Sequence, residues 1–75
     1  MDFPDELDIE DMELAMKEWE LTGWVVEKNR GGQTGPWPLP LDIVYVREDH
    51  NRHQMLARYV YLGDNGWRKT WYGVA

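Results

Sequence analysis

Two runs of alternating apolar residues in the second half of the chain flank one short polar segment, residues 63–66. Residues 55–62 and 67–72 are rich in the β-branched and aromatic types that strands favour. Asn65 and Gly66 both accept the positive φ that a tight turn requires. The pattern therefore predicts a β-hairpin with Asn65-Gly66 in its turn.

Period-two alternation divides this hairpin into two faces, and both are largely apolar. The mostly aliphatic face carries Leu56, Arg58, Val60 and Leu62, with Arg68, Thr70, Tyr72 and Val74. The mostly aromatic face carries Met55, Ala57, Tyr59 and Tyr61, with Trp67, Lys69 and Trp71. Only one face can stay open to water without consequence, and the alternation does not decide which one.

The residues before the predicted strands show the periodicity of a helix. Apolar residues recur at spacings of three and four and form one stripe, which comprises Ile9, Met12, Met16 and Trp19. Asp8 is a good N-cap and Gly23 a good terminator, which predicts a helix over residues 8–22. Leu14 falls on the opposite side among acids. It is either a tolerated exposed leucine or a contact for a partner.

The rest of the chain supplies further strands and one loop. Residues 23–29 and 42–48 are apolar enough for two strands, whereas the glycine and proline residues of 30–41 predict a loop. Trp37, between two prolines, either covers the core or is presented to a partner. Residues 1–7 are expected to be frayed.

These elements predict a single α+β domain over residues 1–75. One N-terminal amphipathic helix packs on a three- to four-stranded antiparallel meander sheet, which residues 23–75 form. A chain of 75 residues buries only about 60% of its unfolded surface, and no cysteine is available for a disulfide. Five tryptophans and four tyrosines can supply the missing core, and a homodimer is the other route to stability.

Composition also bears on location. The lack of cysteine fits a reducing compartment, the N-terminus is acidic rather than apolar, and no stretch approaches the length of a membrane span. We therefore expect a cytoplasmic protein without membrane contact.

The net charge of −6 is unevenly distributed. Residues 1–20 hold nine acids against one base, a net −8, whereas residues 21–75 hold seven bases against five acids, a net +2. The acidic helix is open to three interpretations. It is a solvated face, a surface that steers the protein to a basic partner, or a mimic of nucleic-acid phosphates.

Candidate chemistry is sparse. Glu48, Asp49, His50 and His53 are types that bind metal, but their strand and turn setting favours a solvated turn. No nucleotide-binding motif or zinc-ribbon spacing occurs, and the chain has no serine nucleophile. We expect no catalytic residue, no metal and no cofactor, and so no enzyme.

The leading hypothesis is a small protein-interaction module that occupies a surface of a larger, basic protein, as inhibitors encoded by short phage or mobile-element genes do. Its predicted partner-binding residues are Glu10, Glu13, Glu18, Glu20, Leu14 and Trp37.

The alternative hypothesis is a single-stranded nucleic-acid binder. If the helix covers the aliphatic face, an open aromatic and basic face can stack bases and contact phosphates. That face would comprise Tyr45, Arg47, Tyr59, Tyr61, Trp67, Lys69 and Trp71. If the aromatic residues form the core instead, this face is lost.

Overall fold

The computed structural model describes residues 3–48 and 55–73. Its elements are β1 (Glu6–Asp8), α1 (Ile9–Leu21), β2 (Trp24–Asn29), β3 (Ile43–Glu48), β4 (Met55–Gly63) and β5 (Gly66–Tyr72). The strands form one antiparallel sheet in the order β1-β5-β4-β3-β2. The α+β class, the N-terminal helix and the antiparallel sheet are confirmed. The described strands number five, however, rather than three or four.

The additional strand comes from the segment before the helix, which was expected to be frayed. Glu6–Asp8 pairs with β5 at the edge of the sheet. Phe3 stacks on Trp19 at 5.3 Å between ring centroids, and the Tyr59 hydroxyl donates to the Pro4 carbonyl at 2.6 Å. These partners are distant in sequence, so the local pattern gave no sign that they order the segment.

The helix begins and ends close to the predicted positions. The Asp8 carboxylate accepts a hydrogen bond from the backbone N–H of Asp11 at 2.7 Å, which confirms the predicted N-cap. Thr22 caps the other end, and Gly23 follows with φ of 100°. The buried residues of the helix are Met12, Ala15, Met16 and Trp19.

The helix covers the aromatic face of the sheet. The sheet residues in the core cluster are Val44, Val46, Ala57, Tyr59, Tyr61 and Trp67. Of the two arrangements that the alternation left open, the structure therefore has the one in which the aromatics are the core. The physical reason is area, because each large aromatic ring removes roughly 150–250 Å² from water.

The hairpin turn lies one residue earlier than predicted. Asp64 and Asn65 have φ of 52° and 63°, and Gly63 is paired with Gly66 across the hairpin. Two central residues with positive φ are typical of a type I′ turn, and Asp and Asn tolerate that conformation better than other non-glycine residues. Gly66 is therefore the first residue of β5 and not a central turn residue.

A β-bulge between β4 and β5 changes the faces predicted from alternation. Tyr59 is opposite Lys69, but its neighbour Arg58 is opposite Trp71, so β5 holds one extra residue there. Trp71 consequently shares a face with Arg58 and not with Tyr59. Tyr45 of β3 is also opposite Arg58 and lies on that same face.

A buried carboxylate organises the loop over residues 30–41. Asp42 is fully buried and accepts hydrogen bonds from the Arg30 guanidinium at 2.8 Å, the Gly31 N–H at 3.0 Å and the Leu39 N–H at 2.8 Å. Burial alone would raise the pKa of the Asp42 carboxyl, but these backbone and guanidinium donors together hold that pKa below its ordinary value of 3.8. The charged carboxylate thus holds both ends of the loop.

Candidate functional site

The outward side of α1 is the first of two uncovered surfaces. We define the acidic helix surface as Glu10, Glu13, Leu14, Lys17, Glu18, Glu20 and Leu21, all of which are exposed. Four carboxylates against one ammonium group make it strongly negative. The four predicted partner-binding glutamates and Leu14 thus lie on one side of one rigid element.

Two exposed leucines lie on the acidic helix surface, Leu14 near the middle of the helix and Leu21 at its C-terminal end. Leu14 is 63% exposed and Leu21 is 87% exposed. Together with Glu10 and Lys17 they follow a spacing of i, i+4, i+7 and i+11, which is one line along a helix. The line therefore alternates charged and apolar side chains and offers a partner both kinds of contact.

Packing on the opposite side fixes the direction in which this surface points. Trp19 has no exposed area and lies between the rings of Phe3 and Tyr59, with centroid distances of 5.3 and 5.7 Å. Because this large side chain is held from two sides, the helix cannot rotate about its axis without breaking the core. The acidic helix surface is therefore presented in one orientation.

The second uncovered surface is the sheet face opposite the helix, here called the open sheet face. Glu27, Tyr45, Arg58 and Trp71 are paired in register across β2, β3, β4 and β5 and form one row. The Arg58 guanidinium donates to the Thr70 hydroxyl at 3.0 Å. The row therefore places a cation between two aromatic residues.

Arginines on the open sheet face differ in their partners. Arg47 forms an ion pair with Glu27 at 2.5 Å, and Arg68 forms one with Glu6 at 2.8 Å. Arg58 has no carboxylate partner in the part of the chain that the structure describes. Among the described residues of this face, it is thus the arginine without an ion-pair partner.

The structure does not bring the seven residues of the predicted aromatic and basic face together. Tyr59, Tyr61 and Trp67 are 0%, 7% and 2% exposed, so the structure does not have the arrangement in which they would lie open. Lys69 donates to the Phe3 carbonyl at 2.8 Å and lies 3.0 Å from the Asp5 carboxylate. Of the seven predicted residues, the ones that lie on the open sheet face are Tyr45, Arg47 and Trp71.

Trp37 lies against the core rather than being fully presented. Its ring is half-buried with its centroid 5.5 Å from that of Trp67. The cationic groups of Lys28 and Arg30 lie 5.5 and 5.7 Å from its centroid. Of the two interpretations, this environment fits a plug over one end of the core.

Helical spacing places Leu21 on the side of Leu14, although the helix end could turn it inward, and the structure leaves it 87% exposed. The positions of Arg58 and Asp42 were not indicated by the sequence. Arg58 was assigned to the aliphatic face, and only the β-bulge brings it beside Trp71. Asp42 was taken for the start of a strand, and its burial depends on donors eleven and twelve residues away.

A shallow groove of about 460 Å³ lies between the N-terminus of the helix and the hairpin turn. Asp8, Asp11 and Asp64 contribute to its lining, but Asp8 already accepts the capping hydrogen bond. Over residues 3–48 and 55–73, no three or more histidines and carboxylates are grouped as metal ligands would be.

The predicted turn with Asp49, His50 and His53 lies outside the described residues, so its interpretation as a solvated turn stays a prediction.

Comparison of this chain with protein-family models, with curated proteins and with solved structures produced no match. Among the described residues, no helix has the length and apolar character needed to cross a membrane. The fold and its surfaces define a small α+β protein with the acidic helix surface on one side of the sheet and the open sheet face on the other.

Proposed function

We propose that this protein is a small non-enzymatic interaction module whose acidic helix surface binds a larger protein with a basic surface. The observation that supports this is the exposure of Leu14 and Leu21 in one line among carboxylates. Exposed leucines that occur singly need no explanation, but two in line on one rigid helix, with Lys17 between them, offer two apolar contacts to one partner.

The two residue types would contribute differently to binding. Burying each leucine supplies up to about 1.5–3 kcal/mol, and this slows dissociation. The carboxylates of Glu10, Glu13, Glu18 and Glu20 attract a positively charged partner over a distance and so accelerate association, with a rate that falls as salt rises. The expected partner therefore has an apolar groove bordered by lysines or arginines.

A basic groove of this kind also occurs in proteins that bind nucleic acid. If the partner's groove normally holds phosphates, the acidic helix surface would compete with the nucleic acid and act as an inhibitor. Competition between this protein and a nucleic acid for the purified partner would reveal that mode of action.

The decisive experiment starts with capture of partners from a lysate, with and without nuclease, and continues with the purified partner. Association and dissociation rates are then measured for the wild type, for Glu10, Glu13, Glu18 and Glu20 all changed to lysine, and for Leu14→Asn with Leu21→Asn. The matched control is Leu62→Asn, because Leu62 is 55% exposed but belongs to strand β4 and not to the helix. Circular dichroism checks that every variant stays folded.

We expect the quadruple lysine variant to lose the partner and the leucine pair to dissociate at least about tenfold faster, since tenfold corresponds to about 1.4 kcal/mol. Leu62→Asn should bind like the wild type. Full binding by both helix variants would show that the acidic helix surface only solubilises the protein. Sedimentation of the protein alone shows whether Leu14 and Leu21 instead join two copies.

A further inference from the structure

The open sheet face has features that the acidic helix surface does not explain. Neighbouring strands lie about 4.8 Å apart, so Tyr45, Arg58 and Trp71 occupy successive positions across roughly 10 Å. Tyr45 and Arg58 are half-buried and Trp71 is 42% exposed. Each of the three residues therefore keeps some exposed area while the strands hold them in order.

The Trp71 ring lies over its own strand. A Cβ atom added at Gly73 would be only 2.1 Å from the Trp71 indole, which means that the ring occupies the space that a larger residue 73 would need. One side of the indole is thus supported by backbone. A supported flat ring with the other side open is suited to stacking.

The Arg58 side chain gives the row a positively charged group. The Arg58 guanidinium is oriented by the Thr70 hydroxyl and has no carboxylate partner among the described residues. A cation that is oriented but not neutralised favours an anionic ligand. Its place between two aromatic residues further favours a ligand that alternates flat rings with negative charges.

We infer that the open sheet face binds single-stranded nucleic acid, with bases stacked on Tyr45 and Trp71 and a phosphate at Arg58. An acidic peptide would satisfy Arg58 but has no flat groups for the two aromatic residues. The inference is independent of the proposed function, because it uses the opposite side of the sheet. The acidic helix lies on that other side, and the net charge of −6 makes binding weak and confined to low salt.

The test uses the full chain and fluorescein-labelled single strands of DNA and RNA about ten nucleotides long, in a buffer of about 20 mM salt. Fluorescence anisotropy gives the dissociation constant as salt is raised. A labelled oligoglutamate peptide serves as the acidic-peptide arm. A duplex of the same sequence is the nucleic-acid control.

Four variants with matched controls assign the site. Trp71→Ala and Tyr45→Ala should each weaken binding by about five- to hundredfold, the usual loss for one stacked base. Tyr72→Ala is the control for Trp71, because Tyr72 is 53% exposed but its ring lies 5.7 Å from that of Phe3, at the edge of the helix-covered face. Arg58→Gln should lower the salt slope by about one, whereas Lys17→Gln on the helix should not.

Gly73→Ala, the fourth variant, keeps every aromatic residue and displaces the Trp71 ring, so it should weaken binding as much as Trp71→Ala.

Three results would overturn the inference: no binding of any single strand at low salt, equal losses for Trp71→Ala and Tyr72→Ala, or tighter binding of the oligoglutamate than of the single strands. The last would show an acidic-peptide surface instead. In the background of the quadruple lysine variant of the helix, Trp71→Ala should still weaken nucleic-acid binding. This result separates the test from that of the proposed function.

Discussion

Strand β4 shows two environments within one run of sequence. Ala57, Tyr59 and Tyr61 point towards the helix and are at most 7% exposed. The intervening residues Arg58 and Leu62 are less buried, and Leu62 is 55% exposed. Leu62 is as apolar as the buried residues, so hydrophobicity alone does not separate the two sets.

The difference between the faces comes from what covers them. Trp19 of the helix and Trp37 of the loop both pack on the aromatic side, at 5.7 Å from Tyr59 and 5.5 Å from Trp67. Tryptophans from separate segments thus collect on the side where aromatic area is largest. The less apolar side remains for water or for a ligand.

The largest expected effect comes from comparing two tryptophans of β5. Trp67 is 2% exposed and Trp71 is 42% exposed. Trp67→Ala should lower the free energy of unfolding by about 3–5 kcal/mol, enough to unfold a domain of this size. Trp71→Ala should cost at most about 1 kcal/mol. Urea unfolding followed by circular dichroism measures both. Similar losses for the two variants would contradict the assignment of the faces.

A smaller effect is expected from two tyrosines. The Tyr59 hydroxyl donates to the Pro4 carbonyl at 2.6 Å, and burial raises the pKa of Tyr59 well above its usual value, so this group stays a donor at neutral pH. Tyr59→Phe should cost about 0.5–1.5 kcal/mol, the net value of one hydrogen bond.

The control for that substitution is Tyr45→Phe on the open sheet face, which should stay within about 0.5 kcal/mol of the wild type. Chemical denaturation of the two variants side by side gives the comparison. If Tyr59→Phe were as stable as the wild type, the N-terminal segment would not be held by this hydrogen bond.

The smallest effect at neutral pH is expected from the titration of Asp42, because its lowered pKa acts only in acid. The pKa of Asp42 is lowered in the folded state, so its carboxylate stabilises the protein fully above the unfolded pKa of about 3.9, and this contribution is lost as pH falls through the lower folded pKa. The difference in melting temperature between wild type and Asp42→Asn should be constant from about pH 5 to pH 7 and shrink below about pH 4.

Melting curves across this pH range, recorded for both proteins, provide the measurement. A difference that persisted unchanged to the lowest pH would mean that the charge of Asp42 does not hold the loop.

Local signals in the sequence identified the helix well. Asp8, Gly23 and the stripe from Ile9 to Trp19 depend on neighbours within one or two turns, and the helix begins and ends where they indicate. The acidic helix surface follows from the same periodicity. The pattern did not decide between a tolerated exposed leucine and a partner contact at Leu14. The structure shows that Leu14 is exposed, and a partner for it stays a prediction.

The open sheet face could not be predicted in the same way. Alternation assigns faces only while the pairing register is regular, and the β-bulge beside Arg58 moves Trp71 to the other side. Strand β1 could not be predicted from local patterns, because it pairs with β5 at the far end of the chain.

The sequence by itself determined the helix, the antiparallel strands and the separation of charge between the two parts of the chain. These depend on composition and on periods of two and three to four residues, which are properties of short segments. The tertiary structure decided which sheet face is covered, where the register shifts and that Asp42 is buried under the loop. Those outcomes depend on competition between distant segments for the same apolar area and the same hydrogen-bond donors, and a local pattern does not contain that competition.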